Sequence, residues 1–214
     1  MDIIRFIQYI ASGTAYTLGV TFVALPSGLI LGLILAIIYV YGGKIAARIL
    51  SVYSTVMRGI PPIVLLFILY FIMSGTINLS PFWAGSISLG VISSAYQMEI
   101  IRGAILSVSG GQMIAALAIG MSRLQAIRYI ILPQTLRLAI PPWSNEAAIV
   151  IKDSSLVYAL GVPEILRRAQ LISASTQQPF LAYTTAALIY FGLVLFTNTL
   201  LRRLEKSLRI PANP

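Results

Sequence analysis

Residues 107–134 read SVSGGQMIAALAIGMSRLQAIRYIILPQ, and the fold turns on how they are read. The first part, 107–128, is less apolar than its flanks and too long for a tight turn. Residues 113–119 are rich in Ala, Leu and Met, which favour helix. Gly120 is placed to end that helix, because glycine takes the left-handed conformation at a helix terminus without steric cost. A second helix is predicted over 123–131, leading into Pro133. On both sides lie apolar runs near the ~20 residues a helix needs to cross hydrocarbon. The stretch is a structured loop between two spans.

The rest of the chain agrees. It has 214 residues, 58% hydrophobic and 10% charged, where a soluble domain carries about a quarter charged residues. Short alternating runs bounded by turn residues are missing, which argues against a β-barrel. Lipid accepts only a backbone that satisfies its own hydrogen bonds, which leaves helices. The expected fold is an all-α membrane protein, one transmembrane domain built as a bundle of five helices. The spans fall at about 16–41, 52–73, 83–106, 133–161 and 180–201, with the loop at 107–132. Gly28 and Gly32 in the first span form a small-xxx-small pair suited to close helix packing. The sequence RGIPP at 58–62 interrupts the second span, and Pro141 and Pro142 are expected to break the fourth. At the N-terminus, Ile3, Ile4, Phe6, Ile7 and Ile10 fall mostly on one helical face. Residues 1–13 therefore read as an interfacial amphipathic helix. Asp2 and a lone Arg5 make a poor start for a signal peptide.

Charge sets the orientation. Lys44, Arg48, Arg123, Arg128, Arg137, Arg202, Arg203, Lys206 and Arg209 collect on one side, and Arg5, Arg167 and Arg168 on the other. The positive side faces the cytoplasm, so the N-terminus is expected outside and the C-terminus inside. The same rule accounts for the net charge of +9 without nucleic acid. The absence of Cys and His excludes disulfides, Cys/His metal sites and Ser-His or Cys-His catalysis. No G-x-x-x-x-G-K-[ST] pattern occurs, so the chain is not expected to be an enzyme with its own nucleotide site. No internal repeat is visible, unlike many secondary transporters.

The loop carries a family resemblance. Ala115, Ala116, three residues, Gly120, nine residues, Ile130, one residue, Leu132 and Pro133 follow the spacing of the EAA loop of importer-type ABC transporter permeases. VMRGIPPIVLLFILYF from residue 56, AYQMEIIRGAILSVSGGQ from residue 95 and NEAAIVIKDSSLVYALGVPEILRRAQ from residue 145 resemble the polar amino acid branch of that family. The likeness implies a cytoplasmic coupling helix resting on a separate ATPase, with Gly111, Met113, Ile114, Ala115, Ala116, Gly120, Met121 and Arg123 as the coupling residues. It further implies a cytoplasmic ATPase dimer that holds ATP and Mg, a second permease chain, and an extracytoplasmic amino-acid-binding protein. The setting it implies is the cytoplasmic membrane of a prokaryote. One position departs from the pattern: Ile114 stands where the family has glutamate, which removes a charge contact but keeps the apolar face.

The charges inside the spans are the candidate substrate residues, since a charge at mid-bilayer is costly and usually functional. Glu146 and Asp153 are seven residues apart, about two turns, so they share a face if the helix between them is continuous. Lys152 points elsewhere. Glu99 and Arg102 are three apart and able to pair, either as an internal ion pair or within the site. Tyr96 and Arg58 complete the set. An amino acid permease must replace water around an ammonium and a carboxylate, and these side chains offer both counter-charges. The outer stretch 163–179, with Glu164, Arg167 and Arg168, is where a solute-delivering protein would dock. Two other readings stay open: an ion-coupled secondary transporter or channel, and a structural partner of an active sister permease.

Overall fold

The computed structural model describes residues 2–108 and 110–208. Ser109 in the loop and Arg209 in the basic tally lie outside them. The chain is helical, with no strand among the described residues. Its helices are α1 (Ile3–Ala11), α2 (Thr14–Tyr41), α3 (Gly43–Gly59), α4 (Pro62–Ile77), α5 (Pro81–Ser107), α6 (Gly110–Ala118), α7 (Arg123–Ala126), α8 (Leu132–Asp153), α9 (Ile165–Thr176) and α10 (Pro179–Leu208). A π-turn, Ile127–Ile131, joins α7 to α8, and a 3₁₀ segment, Ser154–Leu160, follows α8. The runs Ile3–Tyr41 and Pro179–Lys206 are each long and apolar enough to cross a membrane, and α3 with α4 is so as a bent pair.

Both proline sites differ from a simple reading of the sequence. The second expected span, 52–73, is two helices, α3 and α4, meeting at 110°. Ile60 is extended there, with φ −97° and ψ 137°. A residue before proline is pushed out of the helical region, and neither Pro61 nor Pro62 has an N–H to continue the ladder. The expected break at Pro141 and Pro142 does not occur, and α8 runs unbroken from Leu132 to Asp153. Proline's fixed φ is helical, and freed backbone groups in membrane bundles find other donors.

The bundle is organised around α5. Its buried positions include Ser86, Ser88, Gly90, Ser93, Ser94 and Gln97, small or polar residues that let neighbours approach. The closest approach is to α2. A Cβ at position 28 would lie 2.6 Å from Gln97 Nε2, and one at position 32 would lie 2.9 Å from the Ser94 carbonyl oxygen, so both sites exclude a side chain. Apolar clusters follow the bundle along its length. Phe6, Ile10, Ile165 and Ile172 join α1 to α9, with Ala182 and Ala186 of α10. Leu65, Leu66, Leu89, Ile92 and Val150 lie in the middle. Leu50, Met98, Ile101, Ile105 and Ile131 lie at the loop end. In α1, Phe6 and Ile10 are buried while Ile3, Ile4 and Ile7 stay exposed.

Candidate functional site

Because α8 is unbroken, Glu146 and Asp153 share a face, about 10 Å apart along the axis. Both line one cavity of about 270 Å³ between α4, α5 and α8, together with Pro62, Ser93, Tyr96 and apolar side chains of α5 and α8. Ligand pockets run upward from roughly 300 Å³, so this one suits a small molecule. The helix discontinuity at the cavity is the α3–α4 elbow, at Pro62, and not the proline pair of α8.

Glu146 is buried, and its Oε1 accepts from Ser93 Oγ at 2.6 Å. Behind Ser93, Gln97 Nε2 donates to Ser93 Oγ at 3.0 Å and to the Leu25 carbonyl at 3.2 Å. Trp143 Nε1 donates to Gln97 Oε1 at 2.8 Å. Ser93, Gln97 and Trp143 were not among the residues expected from the sequence. Their only local signal is spacing: Ser93 and Gln97 sit one turn apart on α5, as Trp143 and Glu146 do on α8. Asp153 is half-buried and carries no hydrogen bond from a described residue; Lys152 beside it supplies a nearby charge.

The other expected residues divide. Arg58 is exposed, stacks 5.5 Å from the Tyr96 ring centroid and makes a long 3.5 Å contact to Ser54 Oγ. Glu99 and Arg102 lie farther along α5, off the cavity, and pair at 2.7 Å. Glu99 Oε1 also accepts from Ser54 Oγ at 2.8 Å, and the Arg102 guanidinium lies over Tyr39. Lys152 lines a different cavity, facing Leu166 and Tyr190.

The stretch 163–179, expected as a docking surface, is a correction for one residue. Glu164 is fully buried and offers no surface charge. It caps α9, accepting from Leu166 N at 2.8 Å and Arg167 N at 2.6 Å, and Tyr190 Oη of α10 donates to it at 2.5 Å. Burial raises its carboxyl above the ordinary glutamate range, and these three bonds act the other way. Arg168 donates to the Pro163 carbonyl and lies over Tyr9 of α1.

The loop has the form its composition suggests. Gly120, at φ +87°, ends α6. Gly120 N bonds to the Leu117 carbonyl at 3.0 Å and Met121 N to the Ala116 carbonyl at 3.1 Å, the paired bonds of a Schellman cap. Ser122 and Gln125 then form a capping box that starts α7. Ala116 is buried and Met113 packs on the cluster at the loop end. Gly111, Ala115 and Arg123 are exposed, Met121 is half-buried, and Ile114, Ile119 and Leu124 are apolar and more than 70% exposed.

Residues 28–210 match the family described as the binding-protein-dependent transport system inner membrane component. Along 207 residues the chain is 36% identical to the glutamine transport system permease protein GlnP of Escherichia coli K12, covering 95% of this chain and 94% of that protein. It is 34% identical to the octopine transport system permease protein OccQ of Rhizobium radiobacter, over 90% of this chain and 86% of that one. A crystal structure of an amino acid ABC transporter with histidines superposes with a TM-score of 0.85 at 34% identity, covering 97% of this chain and 99% of that one. The MetNI methionine ABC transporter, in an inward-facing conformation, shares the fold with a TM-score of 0.82 at 20% identity. The apolar helices, the capped loop and a family match over most of the sequence have one meaning: the chain belongs to the binding-protein-dependent transport system inner membrane components, the membrane-embedded permease subunits of ABC transporters.

Proposed function

We propose that this chain is the transmembrane permease subunit of an ATP-driven importer for polar amino acids, with the cavity between α4, α5 and α8 as its substrate site. Glu146 and Asp153 take the ligand's ammonium or a cationic side chain. Arg58, held against Tyr96, takes its carboxylate. The observation that carries the reading is the pair of carboxylates on one unbroken helix facing a single cavity of about 270 Å³. It is supported by relatives named for glutamine and arginine transport.

In this reading the five spans are α2, the bent pair α3–α4, α5, α8 and α10, with the N-terminus outside and the C-terminus in the cytoplasm of a prokaryote. The α6–α7 loop docks on a cytoplasmic ATPase dimer, which holds the ATP and Mg. The cap that ends α6 and the capping box that starts α7 fix the junction between the two helices, and a stiff element transmits displacement. A second permease chain completes the pathway, and an extracytoplasmic binding protein delivers substrate near α9. ATP binding closes the ATPases and opens the bundle outward; hydrolysis resets it. Glu99–Arg102 fixes α5 against α3 and does not touch the ligand.

The test is co-reconstitution of the chain with its ATPase and binding protein in proteoliposomes, followed by uptake of each of the twenty labelled amino acids. Saturable uptake that requires ATP and selects polar amino acids is the expected result. Uptake driven by a proton or sodium gradient without ATP would overturn the reading in favour of an ion-coupled carrier.

A further inference from the structure

We infer that Trp143 and Gln97, neither of which lines the cavity, are positioning residues that fix which oxygen of Glu146 is offered to the ligand. The inference rests on the reading of the cavity as the substrate site.

The argument is one of hydrogen-bond inventory. An indole N–H can only donate. Its 2.8 Å bond to Gln97 Oε1 therefore fixes which end of that amide is which. The amide's two N–H groups are then committed, one to the Leu25 carbonyl and one to Ser93 Oγ. A serine hydroxyl has a single proton. Ser93, already accepting from Gln97, sends that proton to Glu146 Oε1 at 2.6 Å. The chain thus runs one way, from indole to amide to hydroxyl to carboxylate. Reversing any link would orphan a buried donor, which costs more than a typical bond contributes.

Burial makes the direction binding. Gln97 is 0% exposed and does not line the cavity, so water does not substitute at its amide, while Ser93 and Glu146, each 4% exposed, line the cavity on the far side of the relay. Space for the amide exists because position 28 on α2 has no side chain: a Cβ there would sit 2.6 Å from Gln97 Nε2. Glu146 Oε2 is left without a protein donor. The only buried side-chain nitrogen or oxygen lacking a partner among the described residues is Ser88 Oγ. Oε2 is therefore accessible, and the space it reaches is the cavity it lines. One carboxylate oxygen is held by the protein and the other is presented to an ammonium, with its rotation fixed from two residues back. Pre-orienting a binding group in this way lowers the ordering cost of association.

The experiment is equilibrium binding of the twenty radiolabelled amino acids to the purified permease–ATPase complex, with the maximal ATPase rate measured alongside. Trp143→Phe keeps the aromatic volume and deletes the N–H. It is expected to weaken binding of the preferred amino acid about 3- to 10-fold while leaving the maximal ATPase rate within about twofold. Gln97→Glu keeps the acceptor for Trp143 but turns the donor facing Ser93 into an acceptor, so it is expected to weaken binding more. Ser93→Ala, read by binding alone, is the second variant should Trp143→Phe not assemble. In a Glu146→Gln background, Trp143→Phe is expected to add nothing, because the group it orients is gone. Unchanged binding in Trp143→Phe and Ser93→Ala overturns the relay while the substrate site stands. An equal loss with and without Glu146 overturns it too. Unchanged binding in Glu146→Gln, or a wild-type complex that binds none of the twenty, overturns the substrate-site reading itself.

Discussion

Glu146 and Glu99 are both glutamates in apolar helices, and their surroundings differ in kind. Glu99 is saturated: Ser54 Oγ donates to one oxygen, and two nitrogens of Arg102 donate to the other at 2.9 and 2.7 Å. Glu146 is half-satisfied, with one oxygen held by Ser93 and the other open to a cavity. A closed ion pair fixes packing and has nothing left for a ligand. An open carboxylate is poorly placed for stability and well placed for binding. Buried charge alone does not mark a site; the donor count around it does.

The contrast breaks most sharply by neutralising each glutamate in turn. Glu146→Gln removes the charge that faces the ammonium, and charged hydrogen bonds contribute about 1.5–3 kcal/mol. Amino acid affinity of the reconstituted complex should fall about 10- to 100-fold, with the chain's thermal stability unchanged or raised. Asp153→Asn should do the same to a lesser degree, since Asp153 is the more exposed of the two. Glu99→Gln should show the opposite pattern. Affinity stays, and the melting temperature in detergent falls by a few degrees, about 1 kcal/mol, because the pair is partly solvated, with side chains 31% and 21% exposed. Should Glu99→Gln lose affinity and keep its stability, the division between the two glutamates is wrong.

What was legible in the sequence follows the same division. Glu146 and Asp153 stand out because charges are rare in apolar runs and a seven-residue spacing fixes a common face. The loop was legible because helix formers and a terminating glycine are local signals; the Ser122–Gln125 capping box, equally local, went unread. The Gly28–Gly32 pair announced a tight helix contact, which proved to be with α5. The Trp143–Gln97–Ser93 chain was not legible, since serine, glutamine and tryptophan have many neutral uses in a span and their partners lie 46 and 53 residues away. Prolines signalled interruption twice, and only one signal was right. At 61–62 the prolines start a helix, where a missing N–H costs nothing. At 141–142 they lie inside one, and only tertiary packing decides whether it breaks. Glu164 looked like a surface charge because its partner Tyr190 is 26 residues away.

Glu164 extends the contrast to the start of α9 as a carboxylate closed without a cation, held by two backbone N–H groups and a tyrosine. Its folded pKa lies above the ordinary value of 4.5, chiefly through burial. A carboxyl raised on folding binds more protons in the native state than in the unfolded one. Its contribution to stability is therefore fully present below the unfolded value and lost as pH rises through the folded value. The melting temperature in detergent should decline across that window, and Glu164→Gln should flatten the decline. A wild-type curve that rises with pH there would show the hydrogen bonds outweighing burial.

The smallest effect is expected at Ile114, where the contrast moves to a place that lacks a carboxylate altogether. Ile114 is 71% exposed on α6 and touches no core cluster, so Ile114→Glu should change the chain's stability by less than about 0.5 kcal/mol. If α6 is the docking helix, a carboxylate there supplies the charge that the EAA pattern has at this position, and affinity for the ATPase should rise by a few-fold, roughly the ~0.2–1 kcal/mol of an exposed ion pair. That gain should vanish at high salt, because exposed charges are screened. Titrating the ATPase against wild-type and Ile114→Glu chains at low and high ionic strength separates the cases. A salt-sensitive gain means the ATPase groove still carries a positive partner. A loss of affinity would mean that groove is apolar and has adapted to Ile114, so that in this protein coupling relies on Ile114, Ile119 and Leu124 as one apolar face with no ion pair.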